Sequence, residues 1–429
     1  MENKKTHIAV RIYINLCRLV LAGVFVFSGF VKANDPLGFK YKLTDYIQAF
    51  GWEDVIPEQI LLVGAIGLSA LEFMLGVWLL VGSNRRLASW TAVGMMAVMT
   101  PLTLYIALYN PVADCGCFGD AIILSNWQTF YKNIVLTIMA ISLVRGKQYI
   151  VRFVSHRSEW LVSLYSIVYI CLFAIYCLEH LPVFDFRPYK IGNNLKEEMT
   201  IPEGKTAPVY ETLFNMEKDG KTREFTIDNY PDSTWTFISR RTILKEEGYT
   251  PPIHDFDLME MESGEDITEQ ILEDEGYTFL LIAHRVENAD DADIDLINEL
   301  YEYCKANGYT FYALTSSEEE QVEQWKDNTG GEYPFCNVDD TTLKTIIRAN
   351  PGVVMLKGGT VMKKWSACDL PDEYVLTDKL EMLPEGQLHT KDVYEKVATA
   401  ILWYVIPLLI IFILDYLTNR WIERKYRKL

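Results

Sequence analysis

Six apolar runs, each long enough to cross a bilayer, constrain this chain more than any other feature. They cover residues 9–31, 59–81, 87–108, 127–144, 161–178 and 397–417. A hydrocarbon core of about 30 Å takes about 20 apolar residues in helix, and within it only helices or closed barrels satisfy every backbone group. The runs therefore predict a membrane α-helical bundle. Cationic residues gather at alternate ends: Lys4, Lys5 and Arg11 before the first run, Arg85 and Arg86 after the second, and Arg145, Lys147, Arg152 and Arg157 after the fourth. Arg420, Arg424, Lys425, Arg427 and Lys428 follow the sixth. The positive-inside rule then predicts cytoplasmic termini. It puts the loop 109–126, which has no Lys or Arg, on the opposite side together with everything between the fifth and sixth runs. The first run also begins like a signal peptide, with Lys4, Lys5 and the stretch Val31-Lys32-Ala33. Its apolar stretch exceeds a typical signal core, so it reads as a retained span.

The formal net charge of −18 is unevenly placed. Residues 181–396 carry 45 acidic against 21 basic side chains, a net of −24, and the rest of the chain is +6. Nucleic-acid affinity comes largely from Lys and Arg neutralising phosphates, so no nucleic-acid partner is expected. The partner implied by the basic excess beside apolar runs is the lipid bilayer.

Of eight cysteines, Cys17, Cys171 and Cys177 fall inside apolar runs and read as small buried hydrophobes. Cys115 and Cys117 flank Gly116 in the loop 109–126, on the side where disulfides persist. A bridge across one residue must fight preferred disulfide geometry and should be easily reduced; glycine between the two widens the accessible backbone angles. Asp114 and Asp120 disfavour a thiolate nearby. A redox-active pair, a structural staple, an inconsequential free dithiol and half of a metal site all stay open. No metal site is expected, because the loop offers no histidine and structural zinc wants four ligands.

Glu72 lies well inside the second run, where a charge is costly and is usually paired or functional. Counting about 1.5 Å per residue from opposite membrane faces puts Arg18 and Glu72 at similar depth. One buried ion pair is expected, either fixing helix packing or making Glu72 a proton carrier beside a quinone headgroup.

Arg18, the segment Ser28-Gly29-Phe30-Val31-Lys32, the Glu72 and Gly76 segment and the Cys-Gly-Cys-Phe-Gly loop together resemble the DoxX/MauE group of four-helix bacterial membrane proteins, over about residues 9–145. That resemblance implies membrane-bound redox work in the bacterial inner membrane, linked to quinone-dependent oxidation or to maturation of disulfide-containing extracytoplasmic proteins. The cysteine loop leans toward MauE. A soluble domain between the fifth and sixth spans would then be periplasmic.

In the acidic block, residues 181–189 read as an extended exit strand. Strands at 210–216 and 223–227 flank a turn at Asp219-Gly220, and another strand spans 235–239. Strands at 278–283, 309–314, near 335, 353–356 and 360–365 then alternate with helices at 293–307, 317–328 and 341–349, the pattern of an α/β layer. The run Asn350-Pro351-Gly352 resembles the cis-proline segment of thioredoxins, and residues 251–368 are similar to membrane-anchored thioredoxins of the TlpA/ResA type. The resemblance implies peptide binding by Asn350, Pro351 and Gly352. Thioredoxins carry Cys-x-x-Cys after the strand corresponding to 278–283; here the stretch His284-Arg285-Val286-Glu287-Asn288-Ala289-Asp290-Asp291 has none, so dithiol exchange at that position is excluded. Cys304, Cys336 and Cys368 are assigned packing roles, with a Cys336 to Cys368 bridge left open. His254 and His284 lack ligand spacing.

The chain thus divides into a four-helix DoxX/MauE-like domain (1–158), a fifth span (159–181), a β-rich connector (182–250), a thioredoxin-like domain (251–385), a sixth span (397–417) and a basic tail (418–429). Two functions are carried. In the first, Cys115 and Cys117 pass electrons from an extracytoplasmic thiol protein to membrane quinone. In the second, the soluble domain docks an envelope partner without catalysis. Transport finds no support, since no repeat or paired discontinuous helices occur.

Overall fold

The computed structural model describes residues 2–426 except 53, 54, 113, 219, 220, 230, 233, 247 and 389–391. The membrane part comprises α1 (Glu2–Asn34), α2 (Pro36–Phe50), α3 (Glu58–Val81), α4 (Arg85–Tyr109), α5 (Asn126–Gly146) and α6 (Glu159–Glu179). α1 and α3 pack antiparallel with backbones nearly touching. A Cβ on Gly29 would meet the Ser69 carbonyl at 2.7 Å, and one on Gly76 would meet Val26 Cγ2 at 2.7 Å; small residues permit such approach between membrane helices. Leu21, Leu75, Ala92, Ala140 and Leu143 fill the bundle core.

Five helices among the described residues are long and apolar enough to cross a membrane, and the expected fourth span, inside α5, is not one of them. Lys132 and Asn133 dilute its apolar run. It is nevertheless integral to the bundle: Asn133 Nδ2 donates to Thr103 Oγ1 at 3.2 Å, and the Thr100 and Thr137 hydroxyls meet at 2.8 Å. At 21 residues it is about 31 Å long.

The soluble part contains α7 (Leu195–Met199), β1 (Val209–Lys218), β2 (Lys221–Phe225), β3 (Thr236–Glu246), β4 (Met259–Glu260), α8 (Thr268–Glu273), β5 (Tyr277–Ile282), α9 (Ile294–Asn307), β6 (Thr310–Thr315), α10 (Glu319–Thr329), β7 (Phe335–Asn337), α11 (Asp340–Ile346), β8 (Gly352–Lys357) and β9 (Thr360–Ser366). Strands β2, β1 and β3 form an antiparallel sheet, with Lys218 paired to Lys221. The expected turn residues Asp219 and Gly220 lie outside the described residues, as do Arg427 and Lys428. β3 runs seven residues beyond the predicted strand end at 239 because β1 offers it a partner along its length.

The larger sheet has order β4-β7-β6-β5-β8-β9. β5, β6 and β7 are parallel, whereas β8 and β9 are antiparallel additions beside β5. Alternation with period two sends Leu280, Ile282, Val354 and Leu356 to one buried face and Phe279, Leu281, Val353 and Met355 to the other. The Asn350–Pro351 peptide bond immediately before β8 is cis. A parallel core strand followed by a cis-proline hairpin is the thioredoxin-like arrangement.

The chain returns to the membrane through α12 (Asp392–Tyr426). This helix leans on α6, where the Tyr404 and Tyr165 rings stack 5.6 Å apart and Asp415 accepts from the Ser155 and Ser158 hydroxyls.

Candidate functional site

The loop joining α4 to α5 closes one end of the bundle. α4 stops where Asn110 turns left-handed at φ 47°, a conformation asparagine tolerates better than most residues. α5 starts at a capping box, Ser125 with Gln128. Between them Cys115 and Cys117 are joined as a disulfide, Cys115 buried and Cys117 half-buried. Gly116 sits at φ +61°, where a side chain would be strained. The Asp114 carboxylate accepts from the Gly116 amide at 2.8 Å and pairs with Lys42 Nζ at 2.9 Å; Tyr46 Oη donates to the Cys115 carbonyl at 2.9 Å. Lys42 and Tyr46 both come from α2, which lies over the loop.

Three buried polar side chains stand beneath the disulfide. Lys32 Nζ lies 2.7 and 2.8 Å from the two Glu72 carboxylate oxygens. Ser28 Oγ is 2.7 Å from Glu72 Oε2 and 2.7 Å from the Cys117 carbonyl oxygen. A hydroxyl has one proton to donate, so Ser28 serves one of these acceptors at a time. Glu72 is thereby a single hydroxyl away from the disulfide backbone.

The expected partner of Glu72 was Arg18, and the structure corrects this. Arg18 Nη1 donates to the Val151 carbonyl at 2.5 Å, and its guanidinium sits 5.5 Å from the Phe153 ring centre. Counting from the helix ends treats α1 and α3 as level, but α1 runs on past α3. Gly82, just beyond α3, lies beside Arg18, while Glu72 further up α3 meets Lys32 in the last turn of α1.

The soluble domain rests on this same end of the bundle. α11 stops at Ile346, three residues before the expected end, and the extended backbone at Ile347 carries Arg348 outward. Arg348 Nε lies 2.9 and 3.0 Å from the two Asp35 oxygens, and Nη2 is 2.8 Å from Asp35 Oδ2 and 3.2 Å from Asp120 Oδ2. Burial pushes the Asp35 carboxyl up, but Arg348 and Arg187 more than offset this and hold it below the ordinary carboxylate range. At Asp120 burial outweighs Arg348, and the carboxyl is raised. A second ionic cluster joins the irregular exit segment to the sheet: Lys364 Nζ and Arg187 Nε contact Asp185 at 2.8 and 2.7 Å. Burial raises Asp185, and the two cations overcome it to leave the carboxyl far below its usual value. A small cleft open to solvent, with about 30 Å³ of room for water, lies between Lys32, Asp35, Gly116, Asp120, Phe184 and Arg187.

Pro351 stands three residues after Arg348, preceded by a cis bond. The carbonyl of Asn350 accepts from the Asp290 amide at 3.1 Å, and Asn350 Nδ2 donates to Asn288 O at 3.1 Å and Arg285 O at 3.4 Å. The cysteine-free segment after β5 therefore folds back onto the proline loop. His284 in that segment is a satisfied core residue, with Nε2 2.9 Å from the Ile347 carbonyl, and burial lowers its pKa to about 4.

Cys304 and Cys336 are buried and free, as packing roles require. Cys368 departs from its assignment. It is exposed and not bridged to Cys336, because Cys336 is sealed inside β7 while Cys368 lies on a surface turn after β9. Sequence reasoning missed Lys42, Tyr46 and Asp35, although Asp35-Pro36 is a helix-start signal for α2. Arg348 had no local signal, since its partners lie 313 and 228 residues away.

Residues 10–146 match the family model described as methylamine utilisation protein MauE, and residues 210–247 match a domain of unknown function (DUF8463). The N-terminal part of the chain is a MauE domain. No curated protein shows a significant match to the chain. Among solved structures, a Bacteroides thetaiotaomicron protein provisionally described as a protein disulfide isomerase is 18% identical. It covers 31% of this chain and 87% of its own, with a TM-score of 0.25. The thioredoxin domain of a thiol-disulfide oxidoreductase from Bacteroides vulgatus is 13% identical, covering 25% and 81% with a TM-score of 0.22. The bacterioferritin comigratory protein of Xanthomonas campestris is 14% identical, covering 27% and 82% with a TM-score of 0.21.

Proposed function

We propose that this protein is a thiol-linked redox protein of the bacterial inner membrane, with Cys115 and Cys117 as its exchanging pair on the periplasmic side. A substrate dithiol attacks the Cys115–Cys117 bond. The substrate leaves as a disulfide, and Cys115 and Cys117 become thiols, taking up two electrons and two protons. Membrane quinone then takes those two electrons and two protons to become quinol, and the Cys115–Cys117 bond reforms. Glu72, held by Lys32 and linked through Ser28 to the Cys117 carbonyl, is the buried acid coupled to this bond from within the bundle. Arg18, midway along α1 beside Gly82 and the Val151 carbonyl, has a packing role.

The observation that carries the reading is the Arg348 bridge to Asp35 and Asp120. It supports a cysteine-free thioredoxin-like domain that positions substrates at the bundle's disulfide in place of one of its own. Tethering by α6 and α12 raises its effective concentration there. Docking of a peptide strand on Asn350, Pro351 and Gly352 is the rival, non-catalytic use, and it requires Asp290 to release the Asn350 carbonyl.

Trapping thiols in native membranes tests the proposal. Cys115 and Cys117 should cycle between bridged and free forms when a reduced periplasmic protein and quinone are supplied in turn, and the double variant C115S/C117S should lose substrate oxidation while inserting normally. A bond that resists reduction, or full function in the double variant, refutes electron transfer by this pair.

A further inference from the structure

We propose that His180, Cys368 and Asp369 form a binding site for a zinc-class divalent ion that fastens α6 to the soluble domain. His180 follows the last turn of α6, and Cys368 and Asp369 occupy the turn Ala367–Asp369 directly after β9. The fold thus brings together an imidazole, a thiol and a carboxylate from opposite ends of the soluble block. All three donor atoms lie within 4.8 Å of one another, and His180 Nδ1 is 2.8 Å from Asp369 Oδ1. Cys368 Sγ faces the same helix end, 3.4 Å from the Glu179 carbonyl.

The donor set selects the ion. Calcium and magnesium want oxygen ligands, whereas sulfur, nitrogen and oxygen together suit zinc. Bond lengths of about 2.0 to 2.3 Å put tetrahedral zinc ligands roughly 3.3 to 3.8 Å apart, so His180 and Asp369 separate slightly and Cys368 draws in. An exposed turn and a helix end allow both movements. On binding, the Cys368 S–H bond breaks, its proton goes to water, and sulfur keeps the electron pair that bonds the metal. Three protein ligands leave a fourth position for water. This site is independent of the Cys115–Cys117 chemistry.

The test uses the full chain in lipid nanodiscs without reductant, so that Cys115 and Cys117 stay bridged, with Co²⁺ as the probe. One Co²⁺ per chain, a thiolate-to-cobalt charge-transfer band and displacement by Zn²⁺ are expected. C368S should abolish the band. H180A should weaken cobalt binding at least about tenfold, a loss that even outer-shell changes produce. Zinc should also protect Cys368 from maleimide in the unaltered protein, which keeps the test open should a variant fail to fold. Wild-type protein that takes up no stoichiometric cobalt, a band that persists in C368S, or maleimide labelling indifferent to zinc would overturn the assignment.

Discussion

Arg348 Nη2 and Asp120 Oδ2 are 3.2 Å apart across 228 residues of chain, and they join the loop before the cis-proline to the turn that follows the disulfide. The same guanidinium grips Asp35 more closely and from two nitrogens. Both halves of the candidate site therefore meet on one side chain.

That asymmetry ranks three substitutions. Arg348→Gln leaves two carboxylates without their cation and should release the soluble domain, with a loss on the order of 3 kcal/mol in unfolding free energy. Asp35→Asn should approach that loss, whereas Asp120→Asn should cost well under half of it, because Asp120 is the more weakly held partner. Chemical denaturation of the full chain in detergent, with cross-linking between α2 and α11 as a docking readout, checks the order.

The buried Lys32–Glu72 pair predicts a different signature. Glu72→Gln strands an ammonium in the bundle, and breaking a buried pair from one side costs about 3 to 5 kcal/mol. The double change Lys32→Met with Glu72→Leu should recover much of this, and Arg18→Gln should leave the Lys32–Glu72 pair undisturbed. Thermal unfolding of the three variants and wild type in nanodiscs decides; a double variant no more stable than Glu72→Gln contradicts the pairing.

Gly116 offers a test of the loop. Its left-handed backbone and the 3.2 Å gap between an added Cβ and Lys42 Cγ make Gly116→Val strained by about 1 to 2 kcal/mol. The fraction of chains with Cys115 and Cys117 bridged, measured by differential alkylation, should fall relative to wild type.

His284 supplies a pH dependence. Burial lowers its pKa to about 4 from the ordinary 6.5, so the unfolded chain binds the proton that the folded domain refuses. Stability is full above about pH 6.5 and declines as pH falls toward 4, by about 3 kcal/mol in total. Asp35 and Asp185, with depressed carboxyls, lose their contribution only at still lower pH. Hydrogen exchange of the β5 and β8 amides, corrected for intrinsic rates, should show this decline in wild type and a flatter profile in His284→Gln.

Periodicity determined much of this protein before any tertiary contact was known. Apolar runs specify the membrane helices, and short continuous apolar runs specify β5 and β8, which are buried on both faces, because each pattern is set by neighbours a few residues away; the cis-proline loop was legible only through the resemblance of Asn350-Pro351-Gly352 to thioredoxins. The segment after β5 shows by its residues alone that no dithiol is there. The partner of Glu72 was decided by the stagger of α1 against α3, a packing outcome of Gly29 and Gly76 that helix length cannot reveal. The covering of Cys115 by α2, the reach of Arg348 to Asp35 and the meeting of His180 with Cys368 belong to the same class. Each joins groups separated by 69 to 313 residues, and charge complementarity across such distances acquires meaning only after the chain has folded.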